Sequence, residues 1–139
     1  PIPVYGAGEN VRDWLYVEDH ADALLRVLQK GAIGRSYNIG GENEATNLDL
    51  VRMVCAILDS KRLTTAPYAD LITFVPDRPG HDTRYAINPA RIRNELGWRP
   101  SVTLEQGLNL TIDWYLVNEA WWKPLQARPG VGTRLGLNA

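Results

Sequence analysis

Cysteine, histidine and phenylalanine are nearly absent from this 139-residue chain, with one, two and one of each, and neither charge sign dominates, the formal net charge being −1. Each scarcity excludes something. A lone cysteine, Cys55, forms no internal disulfide. His20 and His81, with sixty residues between them and no cysteine cluster nearby, fall well short of a zinc signature, so no metal site is expected. Lys and Arg are scattered rather than gathered into a stripe, which argues against a nucleic-acid backbone as partner. No apolar run approaches the roughly 20 residues of a membrane-crossing helix, and none resembles a signal peptide. No membrane partner is expected, and the cytoplasm is the expected compartment. There is no Gly-x-Ser-x-Gly, and Cys55 has no base on its own helix, so no catalytic residue is expected here. The chain opens at Pro1-Ile2-Pro3-Val4-Tyr5 without a methionine, which reads as the middle of something longer, and a fragment is expected.

What is present suffices for one modest core, because a globular chain of this length buries roughly two thirds of the surface its unfolded form exposes. Val4-Tyr5 reads as a short extended piece closed by Gly6-Ala7-Gly8. That Gly-x-Gly lacks the third glycine of a dinucleotide fingerprint, since position 11 is Val11, and no helix follows, so a plain turn is the reading. Val11 to Val17 alternates as a strand, with Arg12, Trp14 and Tyr16 on one face, so Arg12 is expected beside two aromatic rings. A helix follows from about Glu18 to Gln29, with Ala21, Leu24, Leu25 and Leu28 as its apolar row. Ser36 to Ile39 is expected as a strand. A second helix starts near Leu48 with Asn47 as its N-cap, burying Val51, Val54, Cys55 and Leu58. Asn88-Pro89 opens a short helix that stops at Gly97, and Thr103 to Gln106 is a capping box opening a helix to about Asn118. Short strands alternating with helices define an α/β class, in which ligands bind beyond the carboxyl ends of strands. Residues 1–122 form the expected domain and 123–139 a loose tail.

The most informative stretch is Ile72 to Asp82, an apolar run that Pro76 ends, followed by a turn in which Pro79-Gly80 fits the central pair of a type II geometry. It presents Arg78 and His81 at a strand end, with Asp77 and Asp82 close enough to hold them. A planar guanidinium donates parallel hydrogen bonds to phosphate oxygens and stays charged, so an anion site is the leading reading. Bland alternatives stand beside it: an ion pair for Arg12, a turn histidine bonded to Asp82 for His81, and simple N-capping for Asn47.

Several segments together carry a resemblance: Pro3-Val4-Tyr5-Gly6, Arg12-Asp13-Trp14-Leu15-Tyr16-Val17-Glu18-Asp19-His20, Tyr37-Asn38-Ile39-Gly40-Gly41, Asn47-Leu48-Asp49, Asp77 to Asp82 with Arg84-Tyr85-Ala86-Ile87, and Glu95-Leu96-Gly97-Trp98. Over Pro1 to Trp121 the chain resembles the C-terminal part of the dTDP-glucose 4,6-dehydratases, members of the extended short-chain dehydrogenase/reductase superfamily. The resemblance implies an α/β substrate-binding portion without its Rossmann core. It places Arg12 and Arg78 on the diphosphate of a nucleotide-sugar, Asn47 and His81 on the nucleotide or phosphate side, and Pro3, Val4 and Tyr5 near the base. NAD is then bound by the missing N-terminal part, as are the catalytic Tyr-x-x-x-Lys and the acidic pair. No tyrosine here has lysine four positions on. The implied reaction oxidises C4 of the glucosyl ring, eliminates water across C5 and C6, and returns hydride to C6, in a full-length homodimer. Two other readings are a UDP-sugar 4-epimerase or decarboxylase, and a free-standing nucleotide-sugar binding module.

Overall fold

The computed structural model describes residues 1–127 and Val131, and in them short strands alternate with helices in an α/β arrangement. In chain order the elements are β1 (Ile2–Tyr5), β2 (Val11–Asp13), α1 (Val17–Lys30), β3 (Glu44–Thr46), α2 (Asn47–Lys61), a 3-10 turn (Tyr68–Leu71), β4 (Ile72–Val75), α3 (Ala90–Leu96), α4 (Leu104–Val117) and α5 (Glu119–Gln126). β1 and β4 pair in parallel, Ile2 opposite Ile72 and Tyr5 opposite Val75. Parallel strands need a long crossover, and the chain from β2 to the 3-10 turn supplies it. β2 pairs with β3 antiparallel, and a single bridge from Val11 to Arg84 brings the segment after β4 against the same strand. Strand β3, the loop after β1 and the segment after β4 therefore all meet at β2.

Local chemistry sets the helix ends. The Thr103 hydroxyl accepts from the Gln106 N–H while the Gln106 side chain accepts from Thr103 N–H, so the expected capping box opens α4. Gly97 closes α3 at φ 66°, a left-handed position that glycine occupies without a Cβ penalty. Pro89, rather than Asn88, is the N-cap of α3, but Asn88 Oδ1 still accepts from Ala90 N–H at 2.9 Å. The cap of α2 also differs from expectation. Thr46 takes it, accepting from Asp49 N–H at 3.0 Å and donating its hydroxyl to the Asp49 carboxylate, so Asn47 is the first helical residue.

Three sequence expectations fail for tertiary reasons. The strand expected over 11–17 ends at Asp13, since β3 is only three residues long and offers no ladder beyond Glu44. Ser36 to Ile39 is no strand, because none of the described backbone pairs with it; Tyr37 and Ile39 pack on the core instead. The row Ala21, Leu24, Leu25 and Leu28 of α1 faces outward, Leu28 being 82% exposed. α1 instead buries Ala23, which joins Ile92, Leu96 and Trp98 with Leu15 and Val27 packed around them. The absence of a side chain beyond Cβ at Ala23 lets α3 approach closely, and Asp19 anchors the same face by accepting from the N–H and hydroxyl of Ser101 at 2.9 and 2.6 Å.

Lys123 to Gln126, expected in the loose tail, belong to α5 in spite of Pro124. Aromatic packing holds it: Trp121 lies edge-on to Trp114 at 5.3 Å, and the Trp122 indole N–H donates to the Tyr115 carbonyl at 2.7 Å. The rest of that expectation, Val131 apart, falls outside the described residues. Cys55 is buried in α2, where desolvation raises its thiol pKa, so it serves the core as expected. Among the described residues no helix is long and apolar enough to cross a membrane.

Ile92 is wholly buried while Leu28 is mostly exposed, so truncating them separates the two faces. In urea unfolding of the 139-residue chain, Ile92→Ala is expected to lower stability by about 3 kcal/mol. Leu28→Ala is expected to change it by less than about 0.5 kcal/mol. Equal losses would mean that α1 buries its leucine row.

Candidate functional site

The site grows from the end of β4. Pro76 stops the ladder, and the Asp77 carboxylate then organises the turn, its Oδ1 accepting from Arg78 N–H at 2.8 Å and lying 2.7 Å from His81 Nδ1. Facing an ionised carboxylate, Nδ1 has to carry the proton and donate, which leaves Nε2 as the ring nitrogen that Asp77 does not engage. Gly80, at φ 67°, gives the turn its expected positive dihedral. The His81 side chain is only 7% exposed and lies edge-on to Tyr5 of β1, ring centroids 6.3 Å apart. The end of β1 is shaped to receive this loop: Gly6 N–H donates to Val75 O at 2.9 Å, and a Cβ on Gly6 would stand 3.1 Å from Asp77 Oδ2. The imidazole hydrogen bond holds the Asp77 carboxyl below the usual aspartate range, with the Arg78 N–H, His81 and Arg78 adding to the effect against some desolvation. His81 is thus held by Asp77, not by Asp82.

Arg12 projects from β2 toward the continuation of the same loop. One of its terminal nitrogens donates to Val11 O at 2.6 Å and the other to the Asp82 carbonyl at 2.9 Å, and its guanidinium carbon sits 4.7 Å from the centroid of Tyr85. The expected partners Trp14 and Tyr16 are turned elsewhere, toward a cavity of about 530 Å³ between residues 14–18 and α4 and α5. None of the expected site residues lines that cavity. The Asp82 carbonyl also accepts from the Asn10 side chain at 3.2 Å, and Asn10 O accepts from Asn47 N–H at 3.0 Å. Hydrogen bonds thereby connect Asn47, Asn10, Arg12 and Asp82, and His81 immediately precedes Asp82 in the chain.

The charges are not equivalent. Arg84 forms a two-pronged ion pair with Glu44, both contacts at 2.7 Å; the bond lowers the Glu44 pKa and raises that of Arg84. The Arg78 guanidinium makes no hydrogen bond or ion pair among the described residues, and neither does the Asn47 side-chain amide, freed because Thr46 caps α2. Pro3 is exposed and Tyr5 half-buried, whereas Val4 is 3% exposed and its side chain serves the core. Gly6-Ala7-Gly8 does not suit a dinucleotide: it leads into β2, and a Cβ on Gly8 would meet Val4 at 2.7 Å and Leu48 at 2.9 Å. Those glycines serve packing. Asn10 and Tyr85 escaped the sequence reading as site residues because Asn10 meets Asp82 72 positions away, Tyr85 meets Arg12 from a comparably distant segment, and no periodicity marks them.

Since the folded-state pKa of Asp77 is depressed, its contribution to the turn is complete above the ordinary carboxylate value and is lost as pH falls through the folded one. A ¹³C-carboxyl NMR titration is expected to find Asp77 below the ordinary aspartate range, and His81→Ala to move it upward. An Asp77 pKa indifferent to His81→Ala would contradict the geometry.

The fold has counterparts among known proteins. The profile of the family described as GDP-mannose 4,6 dehydratase matches residues 1–111. The dTDP-glucose 4,6-dehydratase of Neisseria meningitidis is 54% identical over 127 residues, which cover 88% of this chain and 36% of that protein. Among solved structures, the dTDP-glucose 4,6-dehydratase of Bacillus anthracis in complex with NAD is similar with TM-score 0.78 and 49% identity, over 88% of this chain and 37% of that one. The dTDP-glucose 4,6-dehydratase of Streptomyces venezuelae with NAD and TYD bound has TM-score 0.79 and 39% identity, over 88% and 36%. The chain spans little more than a third of the length of the curated relatives it matches. Matched by that profile over residues 1–111 and by dehydratases at about half identity, the chain belongs to the GDP-mannose 4,6 dehydratase family of extended short-chain dehydrogenases/reductases.

Proposed function

We propose that these residues form the substrate-binding portion of a dTDP-glucose 4,6-dehydratase, which converts dTDP-glucose to dTDP-4-keto-6-deoxyglucose and water in deoxysugar biosynthesis. The observation that carries the reading is a pair of guanidinium groups with donors to spare at one strand-end cluster: Arg78 has no partner among the described residues, and Arg12 commits only part of its fork, to Val11 and Asp82. Two such forks match the charge and geometry of a diphosphate. His81, fixed by Asp77, offers Nε2 on the phosphate side, and the Asn47 amide offers a donor and an acceptor to the nucleotide. Pro3 and Tyr5 lie along β1 toward the base.

In this reading the chain contributes orientation rather than bond making. Binding energy from nucleotide and diphosphate, remote from the reacting carbons, holds the sugar in register with groups supplied elsewhere in the full-length protein. NAD supplies the redox chemistry there. The 139-residue chain alone is inactive, and the full-length protein is a cytoplasmic homodimer. The relatives named dTDP-glucose 4,6-dehydratase favour this reading over an epimerase or an isolated binding module.

Full-length protein incubated with dTDP-glucose is expected to form the 4-keto-6-deoxy product, and Arg78→Ala to raise KM by about 10- to 100-fold through loss of a charged hydrogen bond of about 1.5–3 kcal/mol. An unchanged KM would remove Arg78 from the site, and a 4-epimer product would replace the dehydratase with its sister enzyme.

A further inference from the structure

Arg12 is useful to a diphosphate only if its fork is held still, because a long flexible side chain loses rotamer freedom when it binds. Two hydrogen bonds to backbone carbonyls fix one edge of the guanidinium but do not fix its plane against tilting. The guanidinium carbon lies over the ring of Tyr85, 4.7 Å from its centroid, within the range in which a cation is drawn to the face of an aromatic ring.

Tyr85 is itself anchored on several sides. Its N–H donates to Val11 O at 3.0 Å, and Val11 N–H donates to Thr83 O at 2.8 Å, so the residue next to Arg12 grips the backbone on both sides of Arg84. Arg84 between them is pinned to Glu44. The Tyr85 hydroxyl donates to the Asp82 carboxylate, which raises the phenol's pKa and keeps it protonated. Asp82 in turn presents its carbonyl to Arg12. A ring tied at both ends beneath a guanidinium whose outer donors are uncommitted has the geometry of a support. At 53% exposure, the ring is not there to fill a core.

We infer that Tyr85 is a positioning residue for anion binding, its ring face holding the Arg12 guanidinium at the angle a diphosphate requires. The inference rests on the proposed substrate-binding reading and deepens it. Arg12, not Tyr85, touches the ligand, and Tyr85 acts through it.

The test measures dTDP binding to the full-length protein by calorimetry, with Tyr85→Phe, Tyr85→Leu, Arg12→Ala and the Arg12→Ala/Tyr85→Leu double variant. Tyr85→Leu is expected to weaken binding about three- to fivefold. Tyr85→Phe, which keeps the ring, is expected to stay within about twofold of the unaltered protein. In the Arg12→Ala background Tyr85→Leu is expected to add nothing, the signature of two residues acting as one unit. Loss as large in Tyr85→Phe as in Tyr85→Leu would assign the effect to the hydroxyl and overturn the inference. An undiminished Tyr85→Leu effect in the Arg12→Ala background would also overturn it, as would normal binding by Tyr85→Leu alongside weakened Arg12→Ala. Normal binding by Arg12→Ala itself would overturn the substrate-binding reading, and this inference with it.

Discussion

The carboxylate of Asp77 is the joint on which the site depends. It accepts from the backbone N–H that follows it and from the His81 ring, and it packs against the one residue after β1, Gly6, that has no side chain to resist it. One anionic group thus connects two strands that are far apart in sequence and sets the direction of an imidazole. The arrangement costs little backbone strain, because Gly6 and Gly80 occupy the positive dihedrals. Without Asp77, the turn would keep its glycine and proline, but the ring would lose the hydrogen bond that orients it.

Around this joint the charges are sorted by whether they already have an opposite partner. Arg84 is neutralised by Glu44, and Arg35 and Arg93 pair with Glu95 and Glu42. Among the described residues neither Arg12 nor Arg78 forms an ion pair with a carboxylate, and Arg12 is held by carbonyl groups instead. Carbonyl contacts orient a guanidinium while leaving its positive charge uncompensated, so it keeps its attraction for an incoming anion.

Much of this was legible in the sequence where the determinant is local. The β-branched run Ile72 to Val75 and its terminal proline gave a strand with the expected ends, and Thr103 with Gln106 announced a helix start, because turns and caps involve residues within a few positions of each other. Fold class and family were readable for the same reason, through short contiguous segments. What could not be read depends on partners distant in the chain. α1 carries two apolar rows, and only the arrival of α3 on the Ala23 side decides which one is covered. Ser36 to Ile39 has the composition of a strand, but a strand exists only where a second backbone pairs with it. Thr46 and Asn47 are both good caps, and the two hydrogen bonds between the Thr46 hydroxyl and Asp49 decide between them. Tyr85 under Arg12 left no trace in spacing at all.

The central claim is that Arg12 and Arg78 grip one pyrophosphate from separate connections of the fold. A crystal structure of the full-length protein with dTDP tests it most directly. The account predicts both guanidinium groups within about 4 Å of diphosphate oxygens, with the Arg12 plane resting on Tyr85. Diphosphate bound away from both arginines, or those side chains facing apart across more space than a pyrophosphate spans, would contradict it.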